Sequence, residues 1–77
     1  MAKRLPRITA SDALRALKRA GWYQARQKGS HIVLKHEDKP GGRVILSMHP
    51  RETLLPKTVA SILEQAGLTV EEFIDLL

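Results

Sequence analysis

The chain has 77 residues, a net charge of +5 and a pI near 10.1, with 43% hydrophobic residues, 27% charged residues and no cysteine. A domain of this size buries only roughly 60% of its unfolded surface, which excludes dinucleotide-binding and barrel enzymes. Disulfides, thiolate nucleophiles and Cys-ligated zinc are excluded too; with no apolar run able to span a bilayer and no recognisable export signal, a cytoplasmic setting is expected.

In chain order, residues 1–7 read as a short basic arm, with Pro6 discouraging helix before it. Thr9 is a candidate N-cap with Asp12 three residues on, the spacing of a capping box. Ala10, Ala13, Leu14, Leu17 and Ala20 then repeat with helical periodicity, and Gly21 is placed to end the helix. Residues 22–28 read as a polar strand. Gly29-Ser30 is a tight-turn signal, and residues 31–36 (H-I-V-L-K-H) are the clearest strand. A loop over 37–42, marked by Pro40-Gly41-Gly42, leads to a third strand over 43–48. Pro50 and the polar residues after it break the sheet.

Pro56 suits the first turn of a second helix, in which Val59, Ile62, Leu63 and Ala66 share one face and Gly67 stops the run. Thr69 and Glu72 form a second capping-box spacing for a short last helix lined by Val70, Phe73, Ile74 and Leu77. The order α-β-β-β-α-α predicts a single α+β domain over 1–77, with helices on one face of a three-stranded antiparallel sheet.

Charge is unevenly spread. Residues 1–51 carry twelve Lys or Arg against three Asp or Glu, and residues 52–77 carry one against five. A basic surface on a small domain answers a polyanion, nucleic acid first among them.

Strand alternation sorts the side chains further. With a tight turn at Gly29-Ser30, Lys28 faces His31, Arg26 faces Val33 and Gln24 faces Lys35. Ile32 and Leu34 then share the core face with Tyr23, Ala25 and Gln27, joined by Val44, Leu46 and Met48. The open face is expected to hold Arg26, Lys28, His31, Lys35 and Arg43, with Trp22 and Val33 among them. His31 lies across from Ser47 or His49. A neutral imidazole, the form that neighbouring cations favour, is what a general base requires.

Three histidines raise the question of metal. His31 and His36 are five residues apart on one strand, so they face opposite sides and cannot chelate together. No metal and no cofactor is expected, and Gly41-Gly42 lacks any nucleotide-binding pattern. RNA cleavage needs neither, because the ribose 2′-OH is the nucleophile. A His can take its proton while nearby cations stabilise the charge that builds on the phosphate. Trp22 or Tyr23 could stack on a base, the other being core. Lys57, near the start of the second helix, could help to hold a phosphate.

Taken together, these residues resemble the HicA (YcfA-like) toxins of type II toxin–antitoxin modules. The likeness runs through S-D-A-L-R-A-L-K-R-A-G-W, R-Q-K-G-S-H-I-V-L-K-H, V-I-L-S-M-H-P and the segment T-L-L-P-K-T-V-A-S-I-L-E-Q-A-G-L-T-V-E-E-F-I-D-L-L. It implies a fold similar to a double-stranded RNA-binding domain and a metal-independent endoribonuclease that cuts mRNA. It implies a catalytic role for His31, which follows the Gly-Ser turn, and a HicB-type antitoxin partner that masks the site. Family members often carry Pro where this chain has Ser47, two residues before His49, a possible secondary acid.

The expectation is thus an mRNA interferase with His31 as base and Arg26, Lys28, Lys35, Arg43, Lys57 and Trp22 contacting RNA. The alternatives are a non-catalytic RNA-binding module and a domain whose basic face meets an acidic protein.

Overall fold

A computed structural model describes residues 5–49 and 51–77. The first four residues of the basic arm and Pro50 lie outside the described residues. The chain forms α1 (Ala10–Arg19), β1 (Tyr23–Lys28), β2 (His31–Lys35), β3 (Val44–Ser47), α2 (Pro56–Ala66) and α3 (Val70–Leu76). This is the α+β class in the order expected from the sequence.

Both capping boxes form. The Asp12 N–H donates to Thr9 Oγ1 at 3.1 Å, and the Thr9 N–H donates to Asp12 Oδ2 at 3.0 Å. Thr69 and Glu72 repeat the exchange at the start of α3. These side-chain acceptors satisfy otherwise unpaired amides at the two helix starts. The amide and then the hydroxyl of Thr9, with Arg15 adding to them, hold the Asp12 carboxyl below its usual range. The same Thr69 groups lower Glu72.

At its other end α1 closes in a Schellman motif. The Gly21 N–H donates to the Lys18 carbonyl and the Trp22 N–H to the Leu17 carbonyl, both at 3.0 Å, with Gly21 at φ +99°. That geometry decides the fate of Trp22. The second residue past the cap turns its side chain back onto the helix it leaves. Trp22 is 3% exposed and belongs to the core, and β1 starts one residue later than the sequence pattern indicates. The expectation that Trp22 lies on the open face is therefore corrected.

The sheet is antiparallel in the order β1-β2-β3. β2 and β3 alternate buried and open: Ile32, Leu34, Val44 and Leu46 point into the core. There they join Leu17 of α1, Ile62 of α2 and Phe73 of α3. Each such side chain contributes about 1.5–3 kcal/mol by leaving water. α1 and α2 pack against β3, whereas β1 is exposed at every residue. Strand alternation assigns Tyr23, Ala25 and Gln27 to the core, but all three are exposed: β1 pairs with β2 and packs little against the helices, and a bulge moves Tyr23 to the other face. Among the described residues no helix is long and apolar enough to cross a membrane.

Candidate functional site

The turn between β1 and β2 comes first, because it sets the register. Gly29 has φ +58°, a conformation glycine adopts without steric cost. Lys28 pairs with His31, Gln27 with Ile32 and Arg26 with Val33. A bulge at Ala25 then shifts the pairing, so that Gln24 faces Leu34 and Tyr23 faces Lys35. One extra residue reverses the faces of everything before it. Tyr23 consequently stands on the open face, 47% exposed, where the unbroken alternation predicts core. An aromatic side chain does occupy that face, but it is Tyr23 and not Trp22. The polar sequence of β1 was the available signal that neither of its faces is deeply buried.

On the other side of β2, His31 pairs with Ser47, Ile32 with Leu46, Val33 with Ile45 and Leu34 with Val44. The open face is thus a grid of rows. Lys28, His31 and Ser47 form the first row; Arg26, Val33 and Ile45 form the second. Tyr23 and Lys35 form the third, with Arg43 one residue before β3 on the same face parity. The three strands and Arg43 contain no Asp or Glu.

His31 is exposed, and among the described residues its ring has no hydrogen-bond partner. It lines a shallow depression with Arg26, Lys28, Gly29, Ser30 and Val33. Lys35 and Arg43 are exposed further along the same face. A free imidazole here can exchange protons with a bound molecule, and the cations can hold its negative charge.

Two other expected residues lie elsewhere. His49, two residues past β3, lines a separate groove with Ser47, Glu52, Leu55 and Thr58 beside the start of α2. Ser47 borders that groove and also pairs with His31. Lys57 is exposed in the first turn of α2 and does not line the His31 depression. The end of α2 near it has no side-chain cap.

His36 has a different use. Its Nε2 lies 3.0 Å from the Ala20 carbonyl, and its Nδ1 accepts the Asp38 N–H at 3.1 Å. With Nδ1 accepting, Nε2 is the nitrogen that donates. The ring also meets Trp22 edge-on, with centroids 5.3 Å apart. Lys39 completes the cluster, donating to the Ala66 carbonyl at 2.9 Å and lying 5.7 Å from the Trp22 ring centre. Among the described residues no group of three or more His, Cys, Asp or Glu side chains gathers where it could hold a metal ion.

Comparison with known proteins adds the family. No curated protein gives a significant match. Residues 10–68 match the sequence profile of the HicA toxin of bacterial toxin–antitoxin systems. That stretch begins at α1, includes the whole sheet and ends just past α2. The chain belongs to the HicA toxin family.

Proposed function

We propose that the protein is a metal-independent endoribonuclease, the toxin of a toxin–antitoxin pair, that cuts mRNA in the cytoplasm and so blocks translation. His31 is the general base. It takes the proton from a ribose 2′-OH, and the 2′-oxygen attacks the adjacent phosphorus. The bond from phosphorus to the 5′-oxygen breaks, and that oxygen leaves with a proton supplied by His49 or by water. The products are a 2′,3′-cyclic phosphate and a 5′-hydroxyl. Lys28 and Arg26, which share the depression with His31, stabilise the charge on the phosphoryl oxygens. Lys35 and Arg43 hold the backbone further along, and Lys57 reaches phosphate outside this face. A HicB-type antitoxin covers the same surface and restrains the toxin.

One observation carries the reading: an exposed, unpartnered imidazole at the hairpin turn, on a face with cations in every row and no carboxylate. A carboxylate beside that ring would repel the RNA backbone. The test is cleavage of a long RNA by the purified protein in excess EDTA. Cleavage persists in EDTA and falls at least about 100-fold in His31→Ala. Cleavage that EDTA abolishes, or that His31→Ala retains, contradicts the mechanism. A non-catalytic RNA-binding module would bind the RNA and leave it uncut.

A further inference from the structure

Resting on the ribonuclease reading, we infer that Tyr23 stacks on a nucleobase and that the open face takes unpaired, single-stranded RNA. The bulge at Ala25 brings this ring to the face that bears His31. Tyr23 is 47% exposed and its hydroxyl has no hydrogen-bond partner among the described residues, so part of the side chain is open to contact from outside the domain.

The rest of the grid matches an extended strand. Each row holds a cation: Lys28 beside His31, Arg26 beside Val33, and Lys35 beside Tyr23. Successive rows are about 7 Å apart along β2. Next to Arg26 the middle row is apolar, with Val33 half-buried and Ile45 43% exposed, and this pair offers a base a dry surface between the charges. Tyr23 lies two rows from His31, about 13 Å along the strand. The stacked base therefore belongs to a neighbour of the cleaved linkage and not to the cleaved nucleotide itself.

Unpaired RNA is the form that fits. In a duplex both faces of a base are covered by its neighbours, and an exposed ring on a sheet gains contact only where a base is free. Base–aromatic stacking with flanking cations is the general device for binding single strands. An acidic protein would satisfy the cations but has no need of a ring face.

The experiment measures binding of the full chain to a short 2′-O-methyl RNA containing 2-aminopurine, which cannot be cut because its 2′-oxygens are blocked. The strand is tested alone and annealed to its complement. Wild type and Tyr23→Phe bind the single strand alike, quench the 2-aminopurine, and bind the duplex more weakly. Tyr23→Ala loses roughly 5- to 150-fold in single-strand affinity. Circular dichroism melts check that all three are folded, which the exposure of Tyr23 favours.

Unchanged single-strand binding by Tyr23→Ala overturns the assignment while leaving the ribonuclease reading in place. Equal losses in Tyr23→Phe and Tyr23→Ala overturn it too, since the hydroxyl and not the ring would then matter. Duplex binding as tight as single-strand binding overturns the substrate class. A folded wild-type protein that binds neither form overturns the RNA reading itself and leaves the acidic-partner alternative.

Discussion

The two ends of β2 carry the same residue type with opposite duties. His31, at the start of the strand, is exposed and unpartnered among the described residues. His36, just past its end, is half-buried, and both ring nitrogens are engaged within the domain, bridging the end of α1 to the β2–β3 loop. Five residues of separation put the rings on opposite faces, one open and one closed by helices. The lesson is about context: a histidine whose nitrogens are both committed to backbone groups cannot exchange protons with a substrate without giving up a structural hydrogen bond. The uncommitted one can.

Exchanging the two defects breaks or sustains that contrast most sharply. His31→Ala abolishes at least about 99% of RNA cleavage and leaves the melting curve within about 0.5 kcal/mol of wild type. His36→Ala does the reverse. It leaves the Ala20 carbonyl and the Asp38 amide without their partner and costs about 1–3 kcal/mol, while the folded fraction still cleaves. Chemical denaturation and a cleavage assay on the same preparations check both halves. A His36→Ala protein that is stable but inactive would erase the distinction.

A second perturbation tests how closely α1 fits the His36 ring. Gly21 has φ +99°, and a Cβ there would lie 2.5 Å from His36 Nε2. Gly21→Ala is strained in both backbone and contact and is expected to cost more than about 1 kcal/mol. In Gly21→Ala/His36→Ala the contact is gone and only the backbone strain persists, so the double variant loses less than the sum of the singles. A double-mutant cycle measures the difference. Strict additivity would mean that the ring is not packed where the structure has it.

The smallest effect concerns acid. Asp12 and Glu72 have carboxyl groups held below the ordinary values of 3.8 and 4.5 by their capping threonines. Where the native pKa is the lower one, the unfolded chain binds more protons, so stability rises with pH in that window. The caps therefore contribute fully above the unfolded values and lose their contribution as pH falls through the native ones. Urea midpoints are expected to hold down to about pH 5 and decline below it, less steeply in Asp12→Asn. A decline that sets in already at about pH 6, well above the ordinary values of both carboxyls, would contradict the capping account.

The elements and their order are legible in the sequence because short-range chemistry writes them. Thr9 with Asp12, and Thr69 with Glu72, announce two helix starts; Gly21 and Gly67 announce two ends; Gly29-Ser30 fixes one hairpin. The place of His31 beside Lys28 follows from that hairpin, since only two residues separate them. Errors begin where a longer-range or geometric effect takes over. Trp22 follows a helix cap, which folds its ring inward, and strand alternation does not register this. The bulge at Ala25 has no marker residue, yet it moves Tyr23 from one face to the other. The structural duty of His36 depends on Ala20, sixteen residues earlier, and no local pattern connects them.

The most direct measurement uses a short RNA that the protein cuts at one linkage, compared with the same strand carrying a single 2′-deoxy substitution at the nucleotide that supplies the attacking oxygen. With His31 as base and the 2′-OH as nucleophile, the first strand yields a 2′,3′-cyclic phosphate and a 5′-hydroxyl, and the second is not cut at that linkage. Cleavage of the deoxy-substituted linkage, or a 5′-phosphate on the product, would show that water and not the ribose attacks, and would contradict the role given to His31.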